Sequence, residues 1–152
     1  MKEMTIYIDD ESSTMSRPLV ILIIDDSKGY RLYLKKLIKH TNVHGHPIEI
    51  ISVDDIDQAI PQMSESHFDI IFVDDVFPKS SMTGRKLLQH IEGRQDEHHV
   101  LISGRKLIKK ASLDDVMRIK TISKRDIHQR YMGKLLQSLR NKPQQPAEKK
   151  RL

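Results

Sequence analysis

The sequence contains no cysteine. A disulfide framework, a thiolate metal site and a cysteine nucleophile are therefore all excluded. Aromatic residues are scarce, at 5%, and none is interleaved with the basic residues. That argues against a stacking surface for single-stranded nucleic acid. Apolar runs are short as well. The longest, Leu19–Ile24, is six residues, whereas a helix crossing a bilayer needs about 20. The N-terminus carries Asp9, Asp10 and Glu11 and lacks the basic-then-apolar pattern of a signal peptide, so a cytoplasmic protein without membrane contact is expected. Neither G-x-x-x-x-G-K-[ST] nor G-x-G-x-x-G occurs, which sets aside a nucleotide-binding enzyme.

The chain of 152 residues is the size of one ordinary domain. Its formal net charge is +5, unevenly placed. Residues 1–17 carry net −2, residues 142–152 net +3, and the middle net +4. Scattered lysines on helix faces account for this balance by solvation, so nucleic acid is not the expected partner. Residues 1–17 read as an N-terminal extension in which Thr5, Ile6, Tyr7 and Ile8 can form a short edge strand. Residues 18–140 read as the domain, and the Pro/Gln/Lys-rich segment 141–152 as a disordered basic tail.

Within 18–140 two periodicities alternate. Leu19–Ile24 is continuously apolar, as expected of a strand buried on both faces. Ser27 can cap a helix whose apolar face is Tyr30, Tyr33, Leu34, Leu37 and Ile38. Ile48, Ile50, Ile51 and Val53 mark a second strand, and Ile56, Ala59, Ile60 and Met63 a second helix, with Pro61 able to kink it. Ile70, Ile71, Phe72 and Val73 form a third strand, then Leu87, Leu88 and Ile91 a third helix. Val100, Leu101 and Ile102 are a fourth strand, Leu107, Ile108 and Ala111 a short fourth helix, and residues 119–123 a fifth strand. Ile127, Tyr131, Leu135 and Leu139 are spaced by four along a last helix. This (βα)5 order predicts an α/β, doubly wound sandwich with a five-stranded parallel sheet and right-handed crossovers.

In such a sheet ligands bind beyond the carboxyl ends of the strands. Asp25 and Asp26 follow the first strand, Asp74 and Asp75 the third, Ser103 and Gly104 the fourth, and Lys124 the fifth. Carboxylates converging on one crevice repel each other and call for a cation. An oxygen-only donor set favours Mg²⁺ or Mn²⁺. A hydroxyl and an ammonium opposite them supply donors for a phosphoryl group. His40, His44 and His46 have no acidic or cysteine partner at ligand spacing and read as a solvated loop, and His98 and His99 as a strand-entry pair.

The chain resembles a CheY-like receiver domain of two-component response regulators over about residues 18–140. The matching pieces are Ile23-Ile24-Asp25-Asp26-Ser27, Ile70-Ile71-Phe72-Val73-Asp74 with Pro78 four residues on, Met82-Thr83-Gly84, Leu101-Ile102-Ser103-Gly104, and Ser123-Lys124. The resemblance implies the flavodoxin-like strand order 2-1-3-4-5. It implies Asp74 as the acceptor of a phosphoryl group from a sensor histidine kinase or phosphotransfer protein. Asp25 and Asp26, with Asp74 and the carbonyl of Val76, would hold Mg²⁺. Ser103 would be the switch hydroxyl, and Lys124 would pair with the acceptor carboxylate and then its phosphate. Strand alternation points Asp75 away from the crevice. Output would pass by protein contact through the fourth helix, fifth strand and fifth helix, and a homodimer is compatible with the fold.

Two positions depart from the family pattern. Thr121 stands where many relatives carry an aromatic switch residue, and Arg125 replaces the usual proline after the lysine, so a trans peptide is expected there. The resemblance also places Val76 and Arg105 beside the approach of a hydrolytic water, where neither residue can act as a base, so a long-lived phosphorylated form is expected. The alternative reading is a receiver-fold adaptor that works without phosphorylation and whose basic tail binds nucleic acid or an acidic protein. A haloacid-dehalogenase-like magnesium phosphatase needs a second aspartate two residues after the first. Val76 stands there after Asp74, and Ser27 after Asp25.

Overall fold

A computed structural model describes residues 3–7, 17–42, 45–91, 93–94, 96–104 and 120–140. Strand β1 is Glu3–Tyr7, β2 Leu19–Ile24, β3 Ile48–Val53, β4 Ile70–Asp74, β5 His98–Ser103 and β6 Lys120–Ser123. Helix α1 is Lys28–Thr41, α2 Ile56–Glu65, α3 Gly84–His90 and α4 Gln129–Arg140. A 3₁₀ turn, Lys124–Asp126, joins β6 to α4. The expected fourth helix at Leu107, Ile108 and Ala111, together with Ile8, His44, Arg105 and the tail, lies outside the described residues. No described helix is long and apolar enough to cross a membrane.

The sheet runs β1-β3-β2-β4-β5-β6. The five strands from β2 to β6 pair in parallel, which is the expected order 2-1-3-4-5. A sixth strand adds to this plan. β1 lies antiparallel on β3, with Thr5 opposite Ile50, and covers a sheet edge that would otherwise present unpaired backbone groups.

Side-chain alternation divides the core into two layers. On one face Leu22, Ile24, Ile71, Val73 and Leu101 pack against Ile56, Ala59 and Met63 of α2 and Leu87 and Leu88 of α3. On the other, Ile21, Ile23, Ile70, Phe72, Val100 and Ile102 pack against Leu34 and Ile38 of α1 and Met132 and Leu136 of α4. The helices begin where side chains supply the missing acceptor: Ser27 for Tyr30 N–H, Asp55 for Gln58 N–H, and Thr83 for Lys86 N–H. Helix α2 continues through Pro61 rather than ending there.

Two polar clamps tie the amino ends of the strands. Asp69, just before β4, accepts both guanidinium nitrogens of Arg17 at 2.7 and 3.1 Å and the Val20 N–H at 2.8 Å. Glu97, just before β5, accepts from His99 Nε2 at 2.9 Å, Phe68 N–H at 2.9 Å and Arg94 at 3.2 Å. Burial pushes the Glu97 carboxyl up, but these donors outweigh it and hold the group below its ordinary value.

The last helix buries a different stripe from the one its spacing by four suggests. Met132 and Leu136 are fully buried, while Tyr131, Leu135 and Leu139 only flank the core. A helix turns 3.6 residues at a time, so a strict four-residue repeat drifts off the contact line. Leu136→Ala should therefore cost about 2–5 kcal/mol in urea unfolding, and Leu135→Ala clearly less.

Candidate functional site

The site follows from which face each strand end continues. Asp25 continues the parity of Ile21 and Ile23, and Asp74 that of Ile70 and Phe72. Both therefore emerge on the α1–α4 side of the sheet, just beyond its carboxyl edge. Lys124 continues Ile122, which packs on the same side. Asp75 has the opposite parity. Its N–H donates to Ile102 O at 3.0 Å and its carbonyl accepts from Gly84 N–H at 3.0 Å, so its backbone closes the loop to α3.

Asp25, Asp26 and Asp74 come together with ligand oxygens all within 4.8 Å of one another, so they can hold a metal ion. Asp25 and Asp74 are buried and Asp26 is exposed. Asp25 is the most tightly held of the three. Its Oδ1 accepts Ser27 N–H at 2.8 Å, its N–H donates to Val53 O at 3.2 Å, and its carbonyl accepts the Arg31 guanidinium at 2.8 Å. Its Oδ2 is buried with no hydrogen-bond partner among the described residues. That orphaned oxygen is costly unless a cation satisfies it.

Among the described residues, the one ammonium in contact with the cluster is Lys124. Its Nζ lies 3.6 Å from Asp25 Oδ2 and 3.8 Å from Asp74 Oδ2. Both distances exceed a hydrogen bond, so the charge is shared between the two carboxylates rather than bonded to either. Burial and the neighbouring charge of Asp25 push the Asp74 carboxyl up to about 6, against a partial pull downward from Lys124. Burial likewise raises Asp25.

The remaining residues expected at the site fall as follows. Ser103 is buried at the carboxyl end of β5, opposite Ser123 of β6. Val76 lies in the loop two residues after Asp74 and is 54% exposed. Thr121 lies within β6 and is partly buried. Arg125 follows Lys124 through a trans bond, and its N–H is capped by Ser123 Oγ at 3.3 Å.

Four residues carry more than their sequence pattern indicated. Arg31 and Lys35 are buried on the stripe shared by Leu34 and Ile38. A cation four residues after the capping Ser27 was the available signal for Arg31. Gly84 opens α3 against β4. A Cβ there would stand 2.0 Å from the Asp74 carbonyl oxygen, which no side chain can do without moving that backbone. Tyr30, read from spacing as an ordinary helix-face residue, places its ring 4.5 Å from the Lys124 Nζ.

A doubly wound parallel sheet with acidic groups and a lysine at its carboxyl edge defines a flavodoxin-like domain built around a strand-end polar site. Within that class, the model of the response regulator receiver domain family matches residues 21–129, and the chain belongs to that family. Solved structures share the fold. A two-component response regulator from Cytophaga hutchinsonii is 19% identical, covers 83% of this chain and 100% of its own, and superposes with a TM-score of 0.67. The chemotaxis protein CheY4 of Vibrio cholerae is 17% identical over 81% of this chain and 99% of its own, with a TM-score of 0.61. The response regulator TrrA of Thermotoga maritima, solved in complex with Mg²⁺ and BeF, is 16% identical over 80% and 98%, with a TM-score of 0.63. No curated protein matches the sequence at a significant level.

Because Asp74 holds its proton to a higher pH when folded, the folded state binds more protons than the unfolded chain between pH 3.8 and about 6. Stability from this group is thus present at low pH and falls as pH rises through that window. Without divalent cation, Asp74→Asn should stabilise the protein at pH 7.5 by on the order of 1–3 kcal/mol. The gain, read by urea unfolding, should shrink as the pH is lowered toward about 4.

Proposed function

We propose that this receiver domain accepts a phosphoryl group on Asp74 from the phosphohistidine of a sensor kinase or phosphotransfer protein, and signals by protein contact. The convergence of Asp25, Asp26 and Asp74 around the Lys124 ammonium at the carboxyl edge of the sheet carries this reading. A carboxylate oxygen of Asp74 attacks phosphorus in line. The new P–O bond forms as the P–N bond breaks, and the imidazole departs with the electron pair of that bond. Lys124, already shared between two carboxylates, follows the incoming phosphoryl oxygens and neutralises part of their charge. Ser103, at the end of the neighbouring strand, supplies a hydroxyl donor to the phosphorylated state. At neutral pH a carboxyl at about 6 is mostly ionised and available as the nucleophile.

Mg²⁺ fits the residues present. The donors are all oxygen, three of them converge, and the buried Asp25 Oδ2 has no hydrogen-bond partner among the described residues. Asp25, Asp26 and Asp74 would hold the ion, with the Val76 carbonyl as a further ligand. When bound it supplies charge neutralisation to the transferring group. The fold shared with TrrA, solved with Mg²⁺ and BeF, supports this choice of ion. The signalling unit is residues 18–140, to whose sheet the preceding segment adds the edge strand β1. Its output face is β6 and α4, together with the segment before β6 in which the sequence predicts a fourth helix and which lies outside the described residues. The protein is a phosphoacceptor that promotes its own loading and slow hydrolysis, not a turnover enzyme.

Incubation with acetyl phosphate and Mg²⁺ should add the mass of one phosphoryl group to the intact protein. Asp74→Asn should abolish the adduct and Asp75→Asn should keep it. An adduct of the same yield on Asp74→Asn would overturn the assignment. The adduct should also be long-lived, because valine at position 76 offers no hydrogen bond to place a water. Val76→Asn should accelerate loss of phosphate once the donor is removed, and an unchanged or slower loss would contradict the shielding role of Val76.

A further inference from the structure

The 3₁₀ turn that carries Lys124 is gripped at both ends by two tyrosines of α1. At its start, the Tyr30 ring lies under the Lys124 ammonium at 4.5 Å. At its end, the Tyr33 hydroxyl donates to the carbonyl of Ile127 at 2.7 Å. The two rings pack on each other with centroids 5.5 Å apart and planes tilted by 36°. Tyr30 is itself anchored by its N–H on Ser27 Oγ at 3.2 Å, and Ile127 by its buried side chain. A closed circuit results: Lys124, Tyr30, Tyr33, Ile127 and back along the turn.

This circuit answers two features of the site. Lys124 makes no hydrogen bond to Asp25 or Asp74 at 3.6 and 3.8 Å, so the carboxylates alone do not fix the ammonium. The aromatic face supplies a third, directional attraction, stronger where water is partly excluded. The contribution of Tyr30 is its ring, because its hydroxyl is buried without a hydrogen-bond partner among the described residues. The turn itself has arginine at 125, where a proline would have restricted the backbone, and so depends on such side-chain grips.

We infer that Tyr30 and Tyr33 are positioning residues for Lys124, seating its ammonium between Asp25 and Asp74, and that Lys124 leaves the Tyr30 ring when a phosphoryl group occupies Asp74. The second half rests on the reading of Asp74 as phosphoacceptor. It places an aromatic sensor of the site on α1, where Tyr33 is partly exposed, and not on β6, where position 121 is threonine.

The test uses the full chain labelled for NMR, with the Lys124 ε-methylene resonance assigned by its loss in Lys124→Met. Ring current should displace this resonance upfield in wild type. Tyr30→Leu should return it to the position of exposed lysines, and Tyr30→Phe should keep it displaced. Addition of Mg²⁺ and beryllofluoride to wild type should also move it off the ring. In parallel, Tyr30→Leu should slow loading from acetyl phosphate roughly threefold to tenfold, and Tyr30→Phe should restore it to within about twofold of wild type. A merely structural role for Tyr30 would not move the lysine resonance in this ring-dependent way. A Lys124 resonance coincident with exposed lysines in wild type, or equal effects of leucine and phenylalanine at position 30, would overturn the seating. A resonance unmoved by beryllofluoride in a protein that does take up phosphate would overturn the sensor. Failure of wild type to gain phosphate would instead remove the phosphoacceptor reading and with it the sensor, leaving the resonance to decide the seating alone.

Discussion

The repulsion among three carboxylates held within 4.8 Å of one another, two of them buried, organises this molecule. An unconstrained chain would swing such groups apart into water. Here they cannot separate, because Asp25 and Asp74 end two strands whose side chains are buried on both faces and whose backbones are paired in register, Ile24 beside Val73. The apolar ladder beneath the site is the restraint that keeps the charges together. Raised proton affinity at Asp25 and Asp74 is the electrostatic consequence. A set of oxygens able to hold a cation is the chemical one.

The two edges of the sheet handle charge in opposite ways. At the amino edge, Asp69 and Glu97 are each satisfied by several donors, and Glu97 is held ionised by His99, the Phe68 N–H and Arg94 against its burial. Those groups serve stability. At the carboxyl edge, Asp25 Oδ2 has no hydrogen bond among the described residues and Lys124 bonds fully to neither neighbour. Incomplete satisfaction at one edge is tolerable because the other edge and the core are well satisfied. It leaves the carboxyl edge able to change partners.

Backbone proximity is as much a part of the site as charge. Gly84 admits the third helix so close to β4 that a methyl group would meet the Asp74 carbonyl. Asp75 contributes main-chain bonds on both sides of this approach. Asp75, beside Asp74, thus has a structural task of its own, while its side chain takes no part in the acidic cluster.

The sequence by itself determined the alternation of strands and helices, since continuous apolar runs such as Leu19–Ile24 and the 3.6-residue spacing of Leu34 and Ile38 are local properties of the chain. It also placed Asp25, Asp26, Asp74, Ser103 and Lys124 at strand ends, and the resemblance to receiver domains supplied the strand order. Tertiary structure decided the rest. Which face of the last helix is buried depends on α1, so Met132 and Leu136 became core where spacing favoured Tyr131 and Leu135. The pairing of β1 with β3 joins residues some 45 positions apart, and the grip of Tyr30 on Lys124 spans more than 90. Such contacts have no periodic signature, because they depend on where distant segments meet once the core has formed, and only the folded chain brings them together.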